Sequence, residues 1–246
     1  MESIPASLEK IYHVKSYEVD INAHLMPSSV CNYFQEIAWE HAEILKIGYN
    51  ALKSIHRFWV LSRLQIKFYQ YPQWTDEVKL ITWPKGIDGM FALRDYLMFS
   101  STGEKQVAAA SSWLILDSEK HRPQRIDSPD HPEFKINDTD AYIHAPVKIG
   151  KPDNYSQSYR NTVKYSDIDV NKHVNNVKYI QWALDSISED LINGELIDEM
   201  IVNFMAEASL GNEVQINVCK QDKLIQIGML NASTNKELCR VQFQYK

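Results

Sequence analysis

The last stretch of the chain alternates strictly. Cys239, Val241, Phe243 and Tyr245 interleave with Arg240, Gln242, Gln244 and Lys246. A period of two predicts a strand half-buried in a mostly antiparallel sheet. The same pattern fills residues 58–68, where Phe58, Val60, Leu64, Ile66 and Phe68 share one face and Arg63, Gln65 and Lys67 the other. Strand-like runs follow near residues 76–84, 89–100 and 106–117. Ahead of these strands the period changes. From Ser28 to Leu45, Val30, Phe34, Ile37, Ile44 and Leu45 form a helical stripe that His41 completes. Ser28 or Ser29 is placed to cap that helix, and Gly48 lies beyond its end. In the second half, Val177, Ile180, Leu184, Ile187 and Leu191 are spaced 3, 4, 3 and 4, which predicts a second apolar helical face. Asn175 or Asn176 is placed to cap it, and four more strand-like runs follow.

The order is therefore strand, helix, four strands, twice over. Without βαβα alternation a doubly wound parallel fold is excluded. The predicted class is α+β, with each half an antiparallel sheet curled around one long helix. Five of the nine prolines fall between Pro123 and Pro152, in a polar stretch without a sustained period. So long a connection separates domains more readily than it crosses one. The predicted division is an N-terminal domain at 1–125, a Pro-rich linker at 126–155 and a C-terminal domain at 156–246.

A short motif repeats with the elements. Asp20, Asn22 and His24 precede the first helix, and Asp169, Asn171 and His173 precede the second. The offset is 149 residues for both the Asp (169 − 20) and the His (173 − 24). The same D-x-N-x-H at the same place in both halves implies two copies of one domain.

Composition narrows the field. Net charge is −6, so bulk positive charge for nucleic-acid binding is missing. Eight glycines in 246 residues form neither a dinucleotide-binding nor a Walker loop. Three widely spaced cysteines, Cys31, Cys219 and Cys239, form no disulfide framework or metal pair, and point to a reducing compartment. The opening residues carry Glu2 and Glu9 and no apolar core, unlike a secretory or transit leader, and no run is apolar enough to span a membrane. The expected setting is cytoplasmic.

The densest polar cluster runs from Tyr165 to Tyr179. Asp169, Asn171 and His173 stand at i, i+2 and i+4, which in extended chain project to one side. They lead into a helix start, whose free N–H groups and positive dipole end suit a reaction that builds negative charge on an acyl oxygen. A plain helix cap would use the same residue types. Asp167, Asp169 and Asn171 copy the start of a calcium loop, but Lys172 replaces its glycine and Lys178 its closing glutamate. The histidines make no zinc-protease pattern, and there is no Gly-x-Ser-x-Gly elbow, so no metal is expected. Glu207, in the run from Ile201 to Ala208, reads as a carboxylate inside an apolar strand, costly unless paired. It reads as an outward-facing strand residue or as a general base. The matching region of the first half, Gln65 to Trp74, has no acidic residue.

These residues resemble a known family, the acyl-[acyl carrier protein] thioesterases of plant plastids and bacteria. SDIDVNKHVNNVKYIQWALDS is similar to the family signature, and YPQWTDEV, GMFALRDY and AASSWLILD are similar to its other blocks, in order. The resemblance covers about Ile11 to Tyr245. It implies a tandem hotdog fold and hydrolysis of the thioester that joins a fatty acyl chain to the carrier's phosphopantetheine arm. It implies a catalytic set of Asp169, Asn171, His173 and Glu207. Asn175 and Asn176, with the helix N–H groups, are candidates for oxyanion or cap contributions. The first copy is then a degenerate site that walls the acyl pocket, with Met26, Trp39, Met90 and Phe91 as wall candidates. The family's proposed cysteine after the glutamate is Ala208 here, so attack by carboxylate-assisted water is favoured. The partner implied is an acyl carrier protein bearing its acyl chain, with no cofactor of the enzyme's own, and a homodimer is compatible. Lys120, His121, Arg122 and Arg125 form the densest basic group for docking or a solvated linker face. An acyl-CoA thioesterase and a non-catalytic acyl-binding module are the alternatives. A dehydratase would need a His and a carboxylate on the long helix, where His41 and Glu40 stand.

Overall fold

The structure, a computed structural model, describes residues 6–126, 139–152 and 154–246. Backbone contacts divide the chain into two compact units, Met1–Pro146 and Val147–Lys246. Part of the Pro-rich stretch, residues 127–138 and 153, lies outside the described residues.

In the first unit the sheet order is β1 (Leu8–His13), β3 (Glu77–Asp88), β4 (Phe91–Ser100), β5 (Lys105–Asp117) and β2 (Arg57–Phe68), with the two-residue β6 (Pro123–Gln124) on β5. All these pairings are antiparallel. β3 shows why it forms: Val78 and Leu80 are buried between exposed Glu77 and Lys79. Helix α1 (Pro27–Ile44) begins one residue ahead of the predicted serines, with extended Met26 at its N-cap. Pro27 presets the first helical φ and has no N–H to leave unpaired. Ser28 and Ser29 are buried instead of capping. The stripe of Val30, Phe34 and Ile37 is buried, and Phe34 stacks on Tyr96 of β4 at 4.4 Å. The short α2 (Tyr49–Ser54) follows.

A buried charge cluster ties the segment after residue 138 to β3 and β4. Lys85 Nζ lies 3.0 Å from Asp95 and 2.8 Å from Asp140, and donates to the Ile143 carbonyl at 2.7 Å. The Ala141 N–H donates to Asp95 at 2.8 Å, and the Trp83 indole N–H to the Thr139 carbonyl at 3.1 Å. Burial, only partly offset by the Ala141 N–H and Lys85, pushes the Asp95 carboxyl up to about 6.

The second unit repeats the plan. Its sheet order is β7 (Gln157–Thr162), β9 (Glu213–Gln221), β10 (Leu224–Asn231), β11 (Glu237–Tyr245) and β8 (Ile197–Phe204), element for element the order of the first. The predicted alternation in β11 is realised, with Cys239, Val241, Phe243 and Tyr245 buried. The second helix is interrupted: α3 (Asn176–Asp185) is followed by α4 (Ser188–Ile192). Ser186 Oγ donates back to the Ala183 carbonyl at 2.7 Å, a bond that competes with the helix ladder where α3 ends. The apolar period still holds across the break, since Ile187 stays buried. Each unit is thus an antiparallel sheet with its main helix packed on one face, the hotdog arrangement of the α+β class. No helix among the described residues is long and apolar enough to cross a membrane.

Candidate active site

Both D-x-N-x-H motifs fold into the same turn. A single 3-10 turn leads in, Ser16–Glu18 in one unit and Tyr165–Asp167 in the other. Its acid takes the backbone N–H three residues back: Lys15 N–H to Glu18 and Lys164 N–H to Asp167, both at 2.8 Å. The motif aspartate then closes the turn. Asp169 Oδ1 accepts the N–H groups of Asn171 at 2.8 Å and His173 at 3.4 Å. Asp20 Oδ1 accepts those of Asn22 at 2.8 Å and His24 at 2.9 Å. The residue before each histidine is left-handed, Lys172 at φ 66° and Ala23 at φ 62°. The motif is therefore a tight turn, not the extended run expected, because the carboxylate offers the backbone closer partners than a neighbouring strand could. The same bonds occupy the carboxylates of the calcium-like run. Among the described residues, no group of three or more His, Cys, Asp or Glu is placed to hold a metal.

Glu207 is not inside a strand. β8 ends at Phe204, and Glu207 lies three residues on, exposed, in a coil. The strand ends because the Met205 and Ala206 N–H groups both turn to the Leu238 carbonyl, at 2.9 and 3.2 Å. That coil brings Glu207 Oε2 to 3.1 Å from His173 Nδ1, with both side chains about one-third exposed (31% and 40%). A carboxylate at Nδ1 favours the tautomer with the proton there, which leaves the other ring nitrogen as an acceptor. Asn171 is exposed at the tip of the same turn, two residues from the histidine.

The helix mouth offers less than expected. Asn175 is the cap, and its Oδ1 takes the Val177 N–H at 2.8 Å. The Lys178 N–H goes to the Asn175 carbonyl at 2.9 Å, and the Asn175 N–H to the Asp167 carbonyl at 2.9 Å. Three N–H groups counted as oxyanion donors are therefore already used. Asn176 is the first helical residue.

The other candidates are scattered. His41 is fully buried, with its Nδ1 3.0 Å from the Arg94 guanidinium, whereas Glu40 pairs with Lys10. Neighbours on a helix point about 100° apart, so they form no dyad. Trp39 and Met90 are exposed, and Arg63 lies 5.1 Å above the Phe91 ring. Lys120, His121, Arg122 and Arg125 are exposed around the turn between β5 and β6. Cys31 and Cys239 are buried, and burial pushes both thiols up, away from the thiolate that a nucleophile needs. Ala208 is fully buried.

Comparison with known proteins places this architecture. Residues 5–130 match the model of the acyl-ACP thioesterase N-terminal domain, and residues 150–246 that of the acyl-ACP thioesterase C-terminal domain. The chain belongs to the acyl-ACP thioesterase family. Within the family it is 26% identical over 239 residues to the chloroplastic oleoyl-acyl carrier protein thioesterase 2 of Arabidopsis thaliana, over 89% of this chain and 61% of that protein. It is 29% identical over 220 residues to the chloroplastic palmitoyl-acyl carrier protein thioesterase of the same plant, over 83% of this chain and 53% of that protein. The chain thus spans about three-fifths or less of the length of these relatives. Its fold matches the crystal structure of an acyl-ACP thioesterase from Bacteroides thetaiotaomicron with a TM-score of 0.88, at 23% identity and full coverage of both chains. It matches the 12:0-ACP thioesterase from Umbellularia californica equally well, TM-score 0.88, at 19% identity over 98% of each chain.

Two features of the site escaped the sequence reading. One is Tyr179, whose hydroxyl accepts the Ala208 N–H at 3.0 Å. The other is a second repeat behind β2 and β8. Pro72-Gln73-Trp74-Thr75-Asp76-Glu77-Val78 corresponds to Ala208-Ser209-Leu210-Gly211-Asn212-Glu213-Val214, at an offset of 136 residues (208 − 72). In both copies the third residue before the Glu (Trp74, Leu210) is exposed, and the next is left-handed, Thr75 at φ 78° and Gly211 at φ 80°. The shared Glu-Val pair was the signal, weakened because glycine stands in one copy and threonine in the other.

Proposed function

We propose that the chain hydrolyses the thioester of fatty acyl-[acyl carrier protein], releasing free fatty acid and ending chain elongation. Membership of the family supports the substrate class. The observation that carries the chemistry is the 3.1 Å contact between His173 and Glu207 beside the Asp169-closed turn. In this reading water attacks the thioester carbonyl carbon and its proton passes to the Glu207–His173 pair. The two groups touch, so the proton is received by the pair rather than by either residue alone. Asp169 keeps Asn171 and His173 in place through their backbone. With the helix N–H groups largely engaged, the Asn171 amide is assigned to the developing oxyanion, a donor class whose loss typically costs about 10²–10³ in rate. The tetrahedral intermediate collapses with cleavage of the C–S bond. The pair returns its proton to the leaving thiolate of the phosphopantetheine arm, and the products are a carboxylic acid and a thiol.

A cytoplasmic setting belongs to the same proposal, supported by the cysteine usage, as does the acyl carrier protein as partner. The test is thiol release from acyl-[acyl carrier protein] and from acyl-CoA, side by side. The expected result is faster turnover on the carrier-bound substrate and loss of turnover in Glu207→Ala. A higher kcat/KM on acyl-CoA would move the substrate to the free thioester. Binding of the acyl carrier without thiol release would leave only an acyl-binding module.

A further inference from the structure

Because Glu207 stands beyond the end of its strand, the position of its carboxylate depends on what fixes residues 205–208. Three ties do so. The Met205 and Ala206 N–H groups bond the Leu238 carbonyl of the neighbouring segment. The Val174 N–H, from the turn that carries His173, donates to the Ala208 carbonyl at 3.2 Å. The Ala208 N–H donates to the Tyr179 hydroxyl of α3 at 3.0 Å.

The first two ties recur in the first unit. Tyr69 and Gln70 N–H groups bond the Gln106 carbonyl at 2.9 and 3.1 Å, and the Leu25 N–H donates to the Pro72 carbonyl at 2.7 Å. The third cannot recur. Proline at 72 has no N–H, and the residue 149 places before Tyr179 is Val30, which has no hydroxyl. The tie exists in the unit that carries the carboxylate. It also acts at the right atom: the Ala208 N–H belongs to the peptide plane that joins it to Glu207, so bonding it fixes the backbone on which the carboxylate is mounted.

Tyr179 is built for that task. It is 2% exposed, and its ring meets Trp182 edge-on at 5.2 Å and Phe204, the last residue of β8, at 6.1 Å. We propose that Tyr179 is a positioning residue for the reaction, setting Glu207 against His173 through the Ala208 N–H. This rests on the reading of Glu207 and His173 as the proton-accepting pair.

The experiment is a double-mutant cycle on kcat and KM for thiol release from acyl-[acyl carrier protein], with Tyr179→Phe, Glu207→Gln and both together. Phenylalanine fills the same buried space and removes only the hydroxyl. The expected result is a kcat lower by about tenfold to a hundredfold with KM unchanged, the scale of a misplaced reacting group. That loss is expected to vanish in the Glu207→Gln background, because there is no carboxylate left to position. Tyr33→Phe is the control, since Tyr33 is a buried phenol on α1 bonded to Glu18, and a purely structural loss there leaves kcat alone. Ala208→Pro removes the other end of the same bond, copies Pro72 and is expected to lower kcat like Tyr179→Phe. It decides the matter should Tyr179→Phe fold poorly. A wild-type kcat in folded Tyr179→Phe, or equal losses with and without the carboxylate, overturns the proposal while the Glu207 reading stands. A wild-type kcat in Glu207→Gln overturns that reading and takes this one with it.

Discussion

The two D-x-N-x-H turns are the same object with different neighbours. Each has a 3-10 entry, an aspartate accepting two backbone N–H groups and a left-handed residue before the histidine. What differs is one residue reached from elsewhere. Position 207 in the second unit corresponds to position 71 in the first, because Val174 bonds the Ala208 carbonyl as Leu25 bonds that of Pro72. His173 therefore meets a carboxylate at 3.1 Å, whereas His24 meets the Tyr71 ring at 5.6 Å between centroids, with Tyr71 also stacked on Phe68. His24 Nδ1 is buried and 3.8 Å from its own Asp20. A turn that only needs to close a loop keeps the motif in both units. In the proposed reaction the turn that receives a proton needs an acceptor beside the imidazole, and in the second unit a carboxylate stands there.

The largest effect should come from removing that acceptor. Glu207→Ala is expected to lower turnover by about 10²–10⁴, the usual scale of a general base, with an unchanged thermal midpoint since the side chain is exposed. Tyr71→Ala should do the reverse, losing stability through the Phe68 stack while thiol release continues. If the two variants lost turnover equally, the units would not differ in the way described.

The next effect separates the two aspartates. Asp169→Ala frees the N–H groups of Asn171 and His173, so turnover is expected to fall roughly tenfold to a hundredfold. Asp20→Ala makes the same cut in the first unit and should cost only about 1–2 kcal/mol of stability, the scale of a lost cap. Denaturant titration beside steady-state kinetics reads both.

A third effect belongs to the first unit alone. Asp95 has its carboxyl raised by burial to about 6, above its ordinary 3.8. Between those values the folded chain holds the proton more tightly than the unfolded one. This contribution to stability is thus full below about pH 4 and is lost as pH rises through 6. Two pH units correspond to on the order of 3 kcal/mol. Wild type minus Asp95→Asn, followed by denaturant titration from pH 4 to 7, should fall with pH. A flat difference would show that Lys85 and the Ala141 N–H fully offset the burial. The smallest effect is a null one: alkylating reagents under native conditions should leave turnover unchanged, because Cys31, Cys219 and Cys239 are all buried, burial raises the Cys31 and Cys239 thiols, and Ala208 has no thiol to offer.

Local patterns told most of the fold. The alternation in β11 appears where expected, and so does the stripe of α1 except at Ile44, which is exposed; the motif at an offset of 149 residues precedes both main helices, as a turn and not as extended chain. The misses are equally physical. Ser28 and Ser29 looked like caps, but proline at 27 had already started the helix and the serines turned inward. The 3, 4, 3, 4 spacing could not register the Ser186 hydroxyl bonding back onto its own helix. Glu207 stands out in the sequence as a candidate, yet as a strand residue, since nothing in IVNFMAEA marks where pairing stops.

The sequence by itself determined two copies of one helix-and-sheet unit, a D-x-N-x-H motif ahead of each main helix, and a carboxylate candidate in the second. Those follow from periodicity and residue spacing, which need no distant partner, whereas the turn that each motif aspartate closes was visible only in the structure. Only the tertiary structure decided that Glu207 rather than Asp169 faces the imidazole, that the helix N–H groups are already used, and that Tyr179 holds the intervening peptide. Each of those is a contact between segments about 30 residues apart or a competition for one hydrogen bond. Its outcome depends on where the sheet and the helix deliver their ends.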